Sequence, residues 1–407
     1  MSTRPHDLNL RHLRALVAIR QHGRLGNAAD AVNLSQPALT QGLAKLESQF
    51  RYPLFERRAS GMLATSVGNM VVDRVEAALQ HLSKETRKMN RTFAEPDRLL
   101  TMTQLRAFLA LVDAGSFTEA ATAVGLSQTA VHRAVGDLER IMGLAVVERR
   151  GRGIWVNRNG RSLARGARLA MAELAAALAD LGSDDDGEQL SFGALPTSRP
   201  FLVPAALARM HKDHPNARFE VLEGNWREMQ DPLRDGIIDM VVGGLRPYEI
   251  NDLTQTPIQT DRLVIAAGAG HPLAGPSAAS IEDLAHYPWI LSPSNSPLRT
   301  EWEKLFAGAE RPKTPVETGS VMIIGRLLTE GNFLTLLSPL QVALQVKAGL
   351  LATVGPPLEQ STRTIGVITR AGWRPTQLQK HFIETLHEAS RDTAGQYGQS
   401  IVALGWV

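Results

Sequence analysis

Two short runs of polar side chains stand at matching positions in the chain. Ser35, Gln36, Pro37, Thr40 and Gln41 form the first; Ser127, Gln128, Thr129, His132 and Arg133 form the second. Their chemistry suits the edges of base pairs. A Gln amide bonds adenine in bidentate fashion, Arg does the same to guanine, and Thr offers a methyl to thymine. Each run is followed by arginines suited to phosphate or minor-groove contact: Arg57 and Arg58, then Arg149, Arg150 and Arg152. A solvated helix face would explain either run alone. The recurrence favours nucleic acid. A third set is scattered further along: Thr197 and Ser198, Gly243 and Gly244, Ser292 and Ser294, Thr318 and Ser320. Each stands where a strand-like run gives way to a turn or helix. Free N–H groups at helix starts suit a carboxylate or phosphate, although caps and turns use the same residues.

The elements that must hold the first two sets are duplicated. A shift of 92 residues superposes residues 13–58 on 105–150 with 18 identities and no gap. Register kept that long means a duplicated domain. Each copy predicts a helix (Leu13, Leu16, Val17; Leu105, Phe108, Leu109, Val112) ended by Gly23 or Gly115. A short Ala-rich helix follows, then a tight turn at Asn33 or Gly125, residues that tolerate positive φ. Ser35 and Ser127 then cap a third helix. Helix, turn and helix is the pattern whose second helix enters the major groove. PLFERRASGMLAT and AVVERRGRGIWVN predict two strands around a basic turn. Helices over 66–91 and 158–181 flank the second copy, and the apolar stripe of the first suggests self-association. Gly182–Gly187, with Asp184–Asp186, is an acidic linker. From Leu190 onward, short apolar runs alternate with helical patterns, which predicts a mostly parallel α/β fold.

Each copy resembles the winged helix-turn-helix of LysR-type transcriptional regulators. LSQPAL (34–39), Leu46-Glu47 and LFERR (54–58) carry the likeness in the first, and GSFTEAA (115–121), GLSQTAV, DLE and VVERR in the second. GALPTSRPFLVPAALARMHKDHPNARFEVLEG, LRDGIIDMVVGGL, HPLA (271–274) and GLLATVG (349–355) resemble that family's effector domain. The resemblance implies a multidomain chain: two α-rich winged helix-turn-helix domains plus an α/β, two-lobed, periplasmic-binding-protein-like effector domain. The expected boundaries are 1–65, a helix over 66–95, 96–157, a linker over 158–187, and 188–400. Lobe one would take 188–247 and 360–392, and lobe two 252–357. Thr197, Ser198, Gly243, Gly244, Ser292, Ser294, Thr318 and Ser320 become the expected effector residues. The implied function is a DNA-binding transcriptional regulator controlled by a small, anionic effector. The expected partners are double-stranded DNA, that effector, a second copy in a dimer or tetramer, and RNA polymerase. The alternative is a solute sensor whose helical repeats assemble protein partners. Tandem copies depart from the family, as do Asn33, Gly42 and Arg51 in copy one.

Other chemistries find little support. With no cysteine there is no thiolate metal site and no cysteine nucleophile. GxSxG, HExxH, P-loop and GxGxxG patterns are missing, so no catalytic residue, metal or cofactor is expected. His211 and His214 fit a helix surface. Trp226, Trp289, Trp302 and Trp373 fit lobe packing. No apolar run has the length of a membrane span, which makes the cytoplasm the default. The net charge of +3 is a cancellation: residues 1–182 carry +9 and residues 183–407 carry −6. The basic half is the duplicated one, as contact with phosphates requires.

Overall fold

The computed structural model describes residues 3–89, 96–151, 153–182, 188–294 and 296–403. Arg152 and the Asp184–Asp186 run lie outside the described residues. The chain divides into two compact units, the first made chiefly of Met1–Glu188 and the second of most of the remainder.

In the first unit, α1 (Leu10–His22), α2 (Leu25–Ala31) and α3 (Gln36–Phe50) precede an antiparallel hairpin, β1 (Phe55–Arg58) and β2 (Gly61–Ala64). Helix α4 (Ser66–Met89) follows. The order then repeats as α5 (Met102–Ala114), α6 (Phe117–Val124), α7 (Gln128–Met142), β3 (Val147–Arg150), β4 (Gly153–Val156) and α8 (Arg158–Ala179). Backbone handedness sets the punctuation. Asn33 (φ 53°) and Gly125 (φ 66°) make the turns before α3 and α7. Arg51 (φ 63°) and Gly143 (φ 65°) end those helices. The left-handed region disfavours a residue with a β-carbon by about 1–2 kcal/mol, so copy one bears a strain at Arg51 that Gly143 avoids. Leu13, Leu16, Leu39 and Leu46, with Leu105, Phe108, Val131 and Leu138, are buried in the core.

Helices α4 and α8 each carry a glycine at their third residue, against the preceding hairpin region. A β-carbon at Gly68 would stand 1.9 Å from the Leu54 carbonyl oxygen, and one at Gly160 2.1 Å from that of Val146. The apolar stripe of α4, with Val71, Val75 and Leu82 buried, packs on α8 of the same chain. The sequence suggested this stripe as a contact between chains. Here the duplicated helix already covers it.

In the second unit, β5 (Gln189–Ala194), α9 (Leu202–Asp213), β6 (Arg218–Glu223), α10 (Trp226–Arg234), β7 (Met240–Gly244), β8 (Leu253–Asp261) and β9 (Val264–Gly268) come first. Then follow α11 (Ile281–Ala285), β10 (Ile290–Leu291), α12 (Pro297–Leu305), β11 (Val316–Glu317) and α13 (Val321–Glu330). The last elements are β12 (Thr335–Leu337), α14 (Pro339–Lys347), β13 (Leu351–Val354), β14 (Arg363–Arg370) and α15 (Gln377–Ala403). One sheet has the order β6-β5-β7-β14-β8, with β5 parallel to β6 and β7. The other, β12-β9-β13, is antiparallel throughout.

Two expectations need correction. Among the described residues, parallel strand pairs are β5–β6, β5–β7 and the short β10–β11, with isolated parallel bridges at Gly275–Val354 and Trp289–Leu334, whereas β8, β9, β12, β13 and β14 pair antiparallel. Residues 253–261, assigned from sequence to lobe two, belong to the five-stranded sheet. The reason is that β8 and β14 are the two chain crossings between the sheets, and they pair with each other from Arg363↔Asp261 to Arg370↔Leu253. Arg363 clamps that pairing with two bonds to Asp261, at 3.1 and 3.0 Å. Trp289 and Trp302 are buried against Phe306, as lobe packing requires.

Candidate nucleic-acid interface and effector site

The start of each third helix is held open to solvent. Ser35 Oγ accepts the Ala38 N–H at 3.4 Å, and Ser127 Oγ accepts that of Ala130 at 3.2 Å. These caps satisfy helix-end donors that would otherwise lack partners. Gln36, Pro37, Thr40 and Gln41 are exposed on α3, as are Gln128, Thr129 and Arg133 on α7. Thr40 Oγ1 donates to the Gln36 carbonyl at 3.0 Å. His132 is different. Its ring stacks on Phe117 of α6, with centroids 3.5 Å apart, and is half-buried. It braces α7 on α6, a role the sequence did not suggest. Arg57 and Arg58 are exposed on β1, where Arg58 pairs with Glu56 at 3.0 Å. Arg149 and Arg150 belong to β3.

One residue per copy was missed as a positioning group. Glu47 Oε1 accepts the N–H groups of Leu54 and Phe55 at 2.8 and 3.2 Å. Glu139 Oε1 accepts those of Val146 and Val147 at the same two distances. Each carboxylate ties the third helix to the hairpin bearing the arginines. The signal was present, since Leu-Glu is identical in both copies at a fixed distance from Glu-Arg-Arg.

Gly42 also finds its reason here. A β-carbon would stand 2.8 Å from Cδ2 of His12, so the glycine makes room for that ring. Copy two has Ala134 and Gln104 at the matching positions. Burial lowers the pKa of His12, helped by Lys45 and Arg11. The unfolded chain therefore binds this proton more tightly than the folded one. The stabilising contribution is complete above the ordinary value of about 6.5 and is lost progressively as pH falls from there through the lowered folded value. Thermal unfolding from pH 7.5 to 5 should show a steeper loss in the native chain than in His12→Gln. Equal slopes would remove His12 as the cause.

In the second unit, the residues after β5 and β7 meet. Thr197 Oγ1 accepts the Gly244 N–H at 3.0 Å. Gly243 has φ 152°, and a β-carbon there would lie 2.4 Å from Cβ of Leu195. Ser198 departs from its expected role. It is fully buried, and its hydroxyl lies 3.0 Å from the Leu195 carbonyl and 2.8 Å from that of Val242. Such a hydroxyl fastens the turn and does not face a ligand. Ser292 is buried, whereas Ser294 is exposed. Thr318 Oγ1 accepts the Ser320 N–H at 3.1 Å, and Ser320 Oγ caps α13 through Ile323 at 3.4 Å. Arg246 is a group the sequence did not single out. Its Nη2 donates to the Gly244 carbonyl at 2.6 Å, and its guanidinium lies 5.7 Å from the Trp226 ring centroid. Its Nε is buried with no hydrogen-bond partner among the described residues. The Gly243-Gly244 pair that closes β7, with Arg246 two residues beyond it, was the available signal.

The family described as "LysR substrate binding domain" matches residues 183–391. The description "Bacterial regulatory helix-turn-helix protein, lysR family" matches twice, at 10–69 and 102–161. The chain belongs to the LysR family. It is a transcriptional regulator with a duplicated DNA-binding region and an effector-binding domain. The HTH-type transcriptional regulator GalR of Pseudomonas putida is 29% identical over 369 residues, 89% of this chain and 93% of that protein. The uncharacterized HTH-type transcriptional regulator YeiE of Escherichia coli K12 is 31% identical over 291 residues, 70% of this chain and 94% of that one. Full-length OxyR of Pseudomonas aeruginosa, in a cysteine-to-aspartate variant, has the same fold at a TM-score of 0.57 and 22% identity. That match covers 71% of this chain and 94% of OxyR. Among the described residues, no helix of this LysR-family regulator is long and apolar enough to cross a membrane.

Proposed function

We propose that the regulator carries two winged helix-turn-helix domains, over 1–65 and 96–157, which read operator DNA in the major groove. Gln36, Thr40 and Gln41 of α3, with Gln128, Thr129 and Arg133 of α7, contact base edges. Arg57, Arg58, Arg149, Arg150 and Arg152 contact phosphates. The observation that carries this is the repeated pair of Ser-capped, solvent-exposed helix starts beside basic hairpins in a segment of net charge +9. Linkers over 66–95 and 158–187, which include α4 and α8, connect these domains to an effector domain over 188–400.

That effector domain binds a small anion in a cleft of periplasmic-binding-protein type. Thr197, Gly243 and Gly244 at the end of β7, Ser292, Ser294, Thr318 and Ser320 stay the candidate contacts, with Ser198 as their brace. The charge on Arg246 and its unpartnered buried Nε support an anionic ligand. The chain binds and does not catalyse, works in the cytoplasm where its DNA is, and self-associates through surfaces other than the covered stripe of α4. RNA polymerase is the downstream partner.

Genome-wide footprinting of the full chain tests the core of this. Discrete protected sites that lose selectivity with Arg133→Ala are the expected outcome. Uniform occupancy, the same with and without Arg133, would discard sequence reading by α7.

A further inference from the structure

We infer that residues 1–182 form a complete DNA-reading pair within a single chain, built to read an operator of two unlike, inverted half-sites. This rests on the DNA-binding function proposed above and deepens it.

The pairing follows from contacts between α4 and α8. Arg74 meets Glu173, His81 meets Gly166, and Glu85 meets Ser162. As α4 advances from 74 to 85, α8 recedes from 173 to 162, so the helices run antiparallel in one register. The repeat offset of 92 turns position 74 into 166 and position 173 into 81. The 74–173 contact and its exchanged image, 81–166, are therefore both present. The other ends behave alike. Arg14 Nη1 donates to the Arg98 carbonyl at 3.2 Å. The image of that contact joins positions 106 and 6, where burial and then the charge of Arg106 lower the pKa of His6. Contacts that survive exchange of the two partners are the mark of a twofold interface. The two copies are thus related as subunits of a dimer would be, within one polypeptide.

Charge commits α4 to α8 and not to a second α4. Arg74 is buried, and its guanidinium bonds Glu173 at 3.1 Å and Asp180 at 3.0 Å. In an α4–α4 pair those two positions would be His81 and Lys88, leaving a buried guanidinium opposite a cation. In an α8–α8 pair Glu173 would face Gly166 in place of Arg74. Both alternatives give up the buried Arg74–Glu173 pairing, which disfavours them.

Since α3 and α7 follow the same twofold, they present inverted but chemically different faces. Gln36 and Gln128 match, while Pro37 and Gln41 correspond to Thr129 and Arg133, and exposed Thr40 corresponds to the half-buried His132 that stacks on Phe117. An operator read this way has dyad orientation without a palindromic sequence.

The chain has no cysteine, which permits a direct test. Full-length chain carrying Glu85→Cys and Ser162→Cys is oxidised at low concentration and run on a non-reducing denaturing gel. A cross-linked band at monomer mass is expected. A band at dimer mass, or no cross-link, overturns the intramolecular pair. In parallel, the unmodified chain selects from duplexes with a random core, and selected complexes are weighed by native mass spectrometry. Two unlike half-sites occupied by one chain are expected, with Arg133→Ala weakening preference about tenfold in one half-site only. A palindrome requiring two chains overturns the inference while leaving DNA binding intact. Failure to enrich any sequence rejects the DNA-reading function itself, and the cross-link still decides the pairing.

Discussion

Arg74→Ala is expected to destabilise the first unit by about 3–5 kcal/mol. The side chains of Arg74, Glu173 and Asp180 are only 8%, 11% and 13% exposed. Removing the cation takes away the guanidinium that two largely buried carboxylates share, and that penalty dominates over lost packing. For a unit of this size the shift in midpoint is about 10 °C, read by calorimetry as movement of one transition. A control separates the charge from the contact. Replacing all three residues at once, Arg74→Met with Glu173→Leu and Asp180→Leu, should recover most of the loss, because a buried ion cluster and a well-packed apolar one differ little in stability. If the triple variant is as unstable as the single one, unpaired charge is not the cause.

DNA affinity should fall about a thousandfold or more between 50 and 200 mM salt. Two basic hairpins per chain and a net charge of +9 over residues 1–182 make several phosphate contacts available at once. Each contact releases counterions, so log K falls linearly with log salt. The exposed Arg57 on β1 should contribute about one unit to that slope, and Arg57→Ala should weaken all sequences alike. A flat salt dependence in a binding titration would remove phosphate contact from the mechanism.

The first unit was largely legible in the sequence because its signals are local. Gly23, Asn33, Ser35 and their counterparts each determine a backbone angle or a cap within a few residues, and the repeat displayed every signal twice. What escaped depends on distance. Glu47 reads as an ordinary helix-surface acid until Leu54 and Phe55 fold back to it. His132 reads as a base contact until Phe117 stacks on it. Gly42 reads as a helix defect until His12 lies against it. In the second unit the same limit moved Leu253–Asp261 to the other sheet, since pairing with β14 joins residues more than a hundred positions apart. Helix α14 was overlooked although Ser338 and Gln341 form a capping box at its start, a signal that was available. Ser198 and Arg246 exchanged importance for a related reason. A hydroxyl after a strand looks available until carbonyls surround it, and an arginine in a loop looks ordinary until part of its guanidinium is buried.

The difference between α3 and α7 has a consequence for how such a regulator changes over generations. In a homodimer one gene encodes both reading helices, so any substitution strikes both half-operators together and a matching promoter must mutate twice. With two unlike helices on one polypeptide, Arg133 can be altered while Gln41 stays as it is. Each half of the operator is then free to drift with its own helix, one base change at a time, and new target genes can be acquired without abandoning the old half-site.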